Sequence, residues 1–233
     1  EWTMIQCHAD GEQRRLLQLV ALTAFLLGAV GCASPGSNES GTQPDVQSRS
    51  DFALAPDGQH GFIVTEDVRI VGDVRSDYQR AATLLQRDAI EEGVVVLESV
   101  IERAPGLVIP RIDLGVAHAR LGNHEAAQKS FEAALALAPD HPVALNELGI
   151  VYRQTGRFAE ARASYERALS IHDGFHYALL NLGVLCDLYV EDLRCALENY
   201  EAYAGIVTDD PQVGIWIADV RNRMSASQAE STP

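Results

Sequence analysis

An all-α protein made of stacked helix pairs is predicted by three observations in this 233-residue sequence. The dipeptides Leu114-Gly115, Leu148-Gly149 and Leu182-Gly183 recur every 34 residues. Leu97, Phe131, Tyr165 and Tyr200 follow one another at intervals of 34, 34 and 35, and Pro105 and Pro139 are again 34 apart. Within one period, Leu145, Leu148, Gly149 and Tyr152 keep helical spacing, Thr155-Gly156-Arg157 turns the chain, and Phe158, Ala161, Tyr165, Ala168 and Leu169 mark one face of a second helix. A fixed period of this length marks a repeat fold in which each unit buries its apolar face against its neighbours.

Before the repeats, residues 1–31 read as a secretory signal. Arg14 and Arg15 precede the apolar run Leu16 to Gly31, giving a basic start, an apolar core and a small-residue exit. At about 1.5 Å per residue that run spans roughly 24 Å, short for a hydrocarbon core of about 30 Å. Ala29-Val30-Gly31-Cys32 resembles a bacterial lipobox, with Ala29 where that motif usually has leucine. The resemblance implies a lipid-modified Cys32, and Ala33 after it implies the outer membrane; the other reading is an ordinary signal peptide cut near Ala33. Residues 32–51 are polar and rich in Ser, Gly and Pro, too poor in apolar side chains to offset the entropy of ordering, and are expected to be a disordered tether. Residues 52–73 form an N-terminal arm in which Phe62, Val64, Val68 and Ile70 share one parity, a short strand or an extended segment.

The helical domain is expected over residues 74–224. Gly149 and Ala161 are small enough to let two helix axes approach, with Leu148, Tyr152 and Tyr165 filling the space beside them. A last helix starts near Asp210 with Pro211 at its first position, and its stripe of Val213, Trp216, Ile217, Val220 and Met224 suits a cap over the open end of the stack. Residues 225–233 are expected to be a disordered tail.

The repeated pattern of Leu-Gly, an aromatic, Gly, an aromatic, Ala, an aromatic and Ala resembles the tetratricopeptide repeat (TPR). Unit 142–175 matches best, through Leu148, Gly149, Tyr152, Gly156, Phe158, Ala161, Tyr165 and Ala168. Units 108–141 and 176–209 also match, the latter with an extra residue around Tyr189-Val190-Glu191, and unit 74–107 is degenerate. The resemblance implies a TPR superhelical solenoid of about three good repeats, one degenerate repeat and the capping helix. It also implies a protein or peptide partner held in a concave groove lined by the first helix of each pair. The ligand-facing positions carry over to Ile109, Ile112, Val116 and Arg120, to Val143, Asn146, Ile150, Arg153 and Gln154, and to Tyr177, Leu180 and Val184. A TPR subclass that clamps a C-terminal carboxylate has lysines and asparagines where this chain has Ile112, Val116, Ile150 and Val184. The expected groove is therefore an exposed apolar strip with Arg120, Arg153 and Asn146 as polar anchors. It suits an amphipathic helix or hydrophobic peptide whose acidic group pairs with the arginines, unless the chain's own arm fills it.

Composition excludes other classes. Lys and Arg total 18 against 33 Asp and Glu, for a net charge of −15, and Lys129 is the sole lysine. Nothing here neutralises a run of phosphates, so neither nucleic acid nor an anionic lipid surface fits. The four cysteines lack CxxC or zinc-type spacing. Cys186 and Cys195 fall on facing helices, and are either a disulfide or two buried thiols. His118 and His124 occupy repeat packing positions and read as core imidazoles. His172 and His176 straddle Gly174 on a loop, and no metal motif is present. Nucleophile elbow, P-loop and dinucleotide fingerprints are missing, so no enzyme activity, cofactor or small-molecule substrate is expected. The expected protein is a periplasmic scaffold for an envelope complex, anchored through lipid on the outer membrane. A regulatory accessory subunit of a cell-wall or glycan-processing enzyme is the alternative, with Tyr177, Tyr189 or Trp216 as sugar platforms.

Overall fold

The computed structural model describes residues 52–56, 62–66 and 72–230. The signal, Cys32 and the tether lie outside the described residues. The arm holds two strands, β1 (Phe52–Pro56) and β2 (Phe62–Glu66), paired antiparallel with Leu54 opposite Val64. Phe62 and Val64 of the shared parity lie on β2, while Val68 and Ile70 lie outside the described residues. β2 ends at Glu66, and the sequence between β1 and β2 carries Asp57-Gly58, residues suited to reversing the chain.

Eight helices form four antiparallel pairs: α1 (Gly72–Gln86) with α2 (Ile90–Arg103), α3 (Ile109–Arg120) with α4 (His124–Leu137), α5 (Pro142–Gln154) with α6 (Phe158–Ile171), and α7 (His176–Leu185) with α8 (Leu193–Ile206). A final helix, α9 (Pro211–Glu230), packs on α8. It runs past Met224, the end expected for the helical domain, into the segment expected as a tail. Ser225 and Ser227 donate their hydroxyls to the carbonyls of Arg221 and Met224, and no glycine or proline interrupts the chain before Glu230.

The 34-residue period is a packing period. A Cβ on Gly115 would lie 2.5 Å from the Phe131 ring, one on Gly149 2.5 Å from the Tyr165 ring, and one on Gly183 2.6 Å from the Tyr200 ring. Each aromatic ring thus lies flat against a bare stretch of the first helix, and all three rings are buried. The degenerate first pair solves the same problem with the sizes exchanged. Ala81 stands at the glycine position, Leu97 replaces the aromatic, and Gly93 takes the place of Ala127 and Ala161, its missing Cβ leaving room for Leu85. Adjacent first helices also touch, α3 with α5 and α5 with α7, which makes them the inner side of the stack.

Candidate functional site

The expected groove residues do lie on first helices, but many are covered. Ile109, Ile112, Val143 and Leu180 are buried, and Ile112 and Val143 belong to the central apolar cluster with Phe131 and Leu148. Leu54 of β1 is half-buried and packs against that same cluster. An open apolar strip along these positions is therefore corrected: part of the hairpin and the stack itself claim it. Val116, Ile150 and Val184 are half-buried: each packs against an apolar cluster and keeps part of its side chain at the surface. They sit 34 residues apart, at the same place on α3, α5 and α7, and so form an apolar spine. Tyr177 is half-exposed beside it, its ring 4.0 Å from His176 and 6.2 Å from Phe175, and Gln154 is exposed.

The polar anchors serve the stack. Arg120 donates to the Leu85 carbonyl at 3.1 Å and to Asp88 Oδ1 at 2.6 Å, reaching back to the turn of the preceding pair. The Asn146 amide donates to Glu147 Oε1 at 3.1 Å and accepts from Asn181 Nδ2 at 3.0 Å. Arg153 lies 5.6 Å above the Tyr189 ring and donates to its hydroxyl at 3.4 Å. These guanidinium and amide groups hold neighbouring helices together, where the sequence reading had given them to a ligand.

A second set was missed. Tyr78 of α1 donates to Asp113 Oδ2 of α3 at 2.5 Å, much as Asn181 of α7 donates to Asn146 of α5. Asp187 accepts from Tyr200 at 3.3 Å and forms an ion pair with Arg223 of α9. Asp113, Glu147 and Asn181 recur at 34-residue spacing, so a polar position kept within apolar helices was the available signal. Burial pushes the Asp113 carboxyl up to about 6, the Tyr78 hydrogen bond opposing it. It likewise pushes His141, whose Nδ1 caps α5 by accepting from the Ala144 N–H, down to about 4.

Beyond α7 the extra residue foreseen around Tyr189 becomes a π-helical turn, Cys186–Val190, ending at Glu191 with φ of 59°. Cys186 and Cys195 are joined by a disulfide across it, with their Cα atoms 5.8 Å apart. The turn exposes Leu188, Tyr189 and Val190. Tyr189 also tilts against Phe158 with ring centres 5.1 Å apart. His118 and His124 are half-buried rather than core imidazoles. Among the described residues the group of metal-type donors that comes together is Cys186, Asp192 and Cys195, and there both sulfurs are bonded to each other; His172 and His176 join no such group.

The tetratricopeptide repeat family model matches residues 107–174, the region of α3 to α6. Solved structures share the fold. A MamA structure from Desulfovibrio magneticus RS-1 aligns with a TM-score of 0.61 and 19% identity over 69% of this chain and 90% of that one. The structure entitled a functional characterisation of Pseudomonas aeruginosa pilF aligns at 0.60 and 21% over 66% and 69%. A thermophilic TPR protein of Thermus thermophilus aligns at 0.57 and 21% over 64% and 81%. No curated protein matches the sequence.

Proposed function

We propose, from the premise that this chain is a tetratricopeptide-repeat protein, that it docks a protein partner along the first helices of its repeats. Such folds are interaction scaffolds, and the observation that carries the reading here is the spine of Val116, Ile150 and Val184, each partly at the surface at the same place on three successive first helices. One apolar side chain per repeat, at matching positions, suits the face of an amphipathic helix or an apolar peptide laid across the pairs. With Arg120, Asn146 and Arg153 engaged in the stack, affinity rests on apolar burial at the spine, with Tyr177 and the exposed turn at Leu188 and Tyr189 extending it. No chemistry is required of the site.

The proposal extends to place. A basic pair, an apolar run and a lipobox-like Cys32 support an anchor in the outer membrane facing the periplasm. The tether supports reach from that surface, and the Cys186–Cys195 bond suits an oxidising compartment. An envelope complex is then the partner class. Two measurements test the parts separately. A photo-crosslinking residue at Val116, Ile150 or Val184 should capture a partner in intact cells, while one at exposed Glu166 should not; equal capture at both removes the spine from the account. Labelled palmitate should enter the full chain and be lost in Cys32→Ala, and label that persists in that variant removes the anchor.

A further inference from the structure

The chemistry around the disulfide exceeds what a passive staple needs. Cys186 Sγ is fully buried and accepts a hydrogen bond from Arg162 Nη2 at 3.3 Å. The same guanidinium nitrogen is fixed by Asp192 Oδ2 at 2.9 Å. Cys195 is half-buried in the first turn of the 14-residue helix α8, where its own N–H donates to the capping Asp192 Oδ1 at 3.2 Å. Its Sγ accepts from Asn199 Nδ2 at 3.6 Å. Cys186 Sγ therefore faces a guanidinium and Cys195 Sγ an amide, donors that lower the cost of a thiolate. Burial and the Asp192 carboxylate, paired with Arg162 and within 4.8 Å of both sulfurs, oppose them.

The asymmetry sets a direction. We propose that the Cys186–Cys195 bond is a reducible thiol–disulfide site, opened by a dithiol reductant that attacks Cys195 and expels Cys186. The reductant's thiolate attacks the Sγ of Cys195, the less buried residue of the two, and forms a mixed disulfide with it. The Cys186–Cys195 bond breaks, and its electron pair leaves on Cys186, where Arg162 balances the buried negative charge. The second thiol of the reductant then attacks its own sulfur in the mixed disulfide and releases Cys195. Two electrons pass from the dithiol, which ends as a disulfide, and its two protons end on the two cysteines. A lower-pKa leaving thiol departs faster, so Arg162 accelerates the step.

Opening the bond acts on the turn it spans. The carbonyl of Cys186 accepts from both the Glu191 and Asp192 N–H groups, which closes the loop that presents Leu188, Tyr189 and Val190. Cutting the sulfur link leaves these two hydrogen bonds to hold Glu191 in its left-handed conformation, and the contact of Tyr189 with Arg153 loosens with them. The reducible site stands whatever the first helices bind.

The test uses the full chain, folded, in dithiothreitol at neutral pH, quenched with iodoacetamide and digested with trypsin. Cleavage at Arg194 leaves peptides 168–194 and 195–221 joined solely through the disulfide, so their separation reports reduction without interference from Cys7 or Cys32. Reduction should be first order in dithiothreitol, about fivefold slower in Arg162→Gln, and restored in Arg162→Lys, which keeps the charge. A merely structural loss would speed reduction by loosening the fold. In Cys195→Ser the midpoint for alkylation of the remaining Cys186 thiol should rise when Arg162→Gln is added. Amide exchange at residues 187–192 should quicken on reduction while α5 stays protected. A rate independent of dithiothreitol, or untouched by Arg162→Gln, overturns the site, and unchanged exchange at 187–192 overturns its effect on the turn.

Discussion

The two inner helix pairs and the two outer ones make the same reversal with different residues. In α3/α4 and α5/α6 the left-handed position is Gly122, with φ of 75°, and Gly156, with φ of 78°. In α1/α2 and α7/α8 it is Asp88, with φ of 65°, and Glu191, with φ of 59°. After α5 the Arg157 N–H reaches the Tyr152 carbonyl at 2.8 Å and the Gly156 N–H that of Arg153 at 3.2 Å, and the turns after α1 and α3 repeat this pattern. After α7 the extra residue widens it, and the Asp192 N–H reaches back to Cys186 instead. The inner pairs carry their turn in local sequence. The outer pairs carry it through longer-range contacts, Asp88 by its ion pair with Arg120 and Glu191 by the neighbouring disulfide.

The largest break in that comparison is expected at an inner pair. Gly149→Ala would place a methyl group 2.5 Å from the Tyr165 ring. That ring is wholly buried and has nowhere to move. Overpacking of this kind costs about 3 kcal/mol, against which the better helix propensity of alanine returns about 1. Ala81→Gly, the matching change in the degenerate pair, should cost only about 1 kcal/mol, since it meets Leu97 rather than a fixed ring. Denaturant midpoints for the two variants check the contrast, and a loss at Gly149→Ala no larger than that at Ala81→Gly would mean that the Tyr165 ring yields to the methyl group.

A smaller effect separates the junctions by pH. The Asp113 carboxyl joins the outer first pair to its neighbour and is raised by burial to about 6, from 3.8. The folded chain therefore binds that proton more tightly than the unfolded one, and its contribution to stability falls as pH rises from about 4 through 6. His141 at the start of α5 is lowered by burial from 6.5 to about 4. There the unfolded chain takes the proton first, so stability is lost as pH falls through the same window. The slopes oppose each other. Asp113→Asn keeps an acceptor for Tyr78 and removes the first slope. It should be more stable than the parent at pH 7 by about 2 kcal/mol and then lose stability steadily from pH 6.5 to 4, where the parent changes little. Urea midpoints across that range decide it.

These sites also mark what could be read in advance. The Gly149–Tyr165 contact was legible because a period of 34 residues repeats a packing solution, and such a solution is written in residue size. The extra residue before Glu191 was legible as a break in that period. The hairpin register and the commitment of Arg120 to Asp88 were not, and the packing of the arm against the cluster of Ile112 and Val143 was legible only as an alternative, because each depends on which segments meet in space and leaves no periodic trace. Asp113 and Asn146 fall between: the column at 113, 147 and 181 was visible, but an arginine or asparagine on an inner helix has the same spelling whether it binds a ligand or the next helix.

The finest test of the inner–outer difference is Glu191→Gly. A non-glycine residue in the left-handed region costs about 1 kcal/mol or more, while glycine there gives back roughly 0.5–1 kcal/mol through the greater freedom of the unfolded chain. The expected gain is about 0.5 kcal/mol. In the parent the disulfide limits how far the turn can relax in either state, so the gain should grow when Cys186→Ala and Cys195→Ala are introduced together and the turn must hold itself. A thermal melt of the four combinations gives the coupling directly. If the gain is the same with and without the sulfur link, Glu191 is at ease in its own loop, and the bond does not compensate for it.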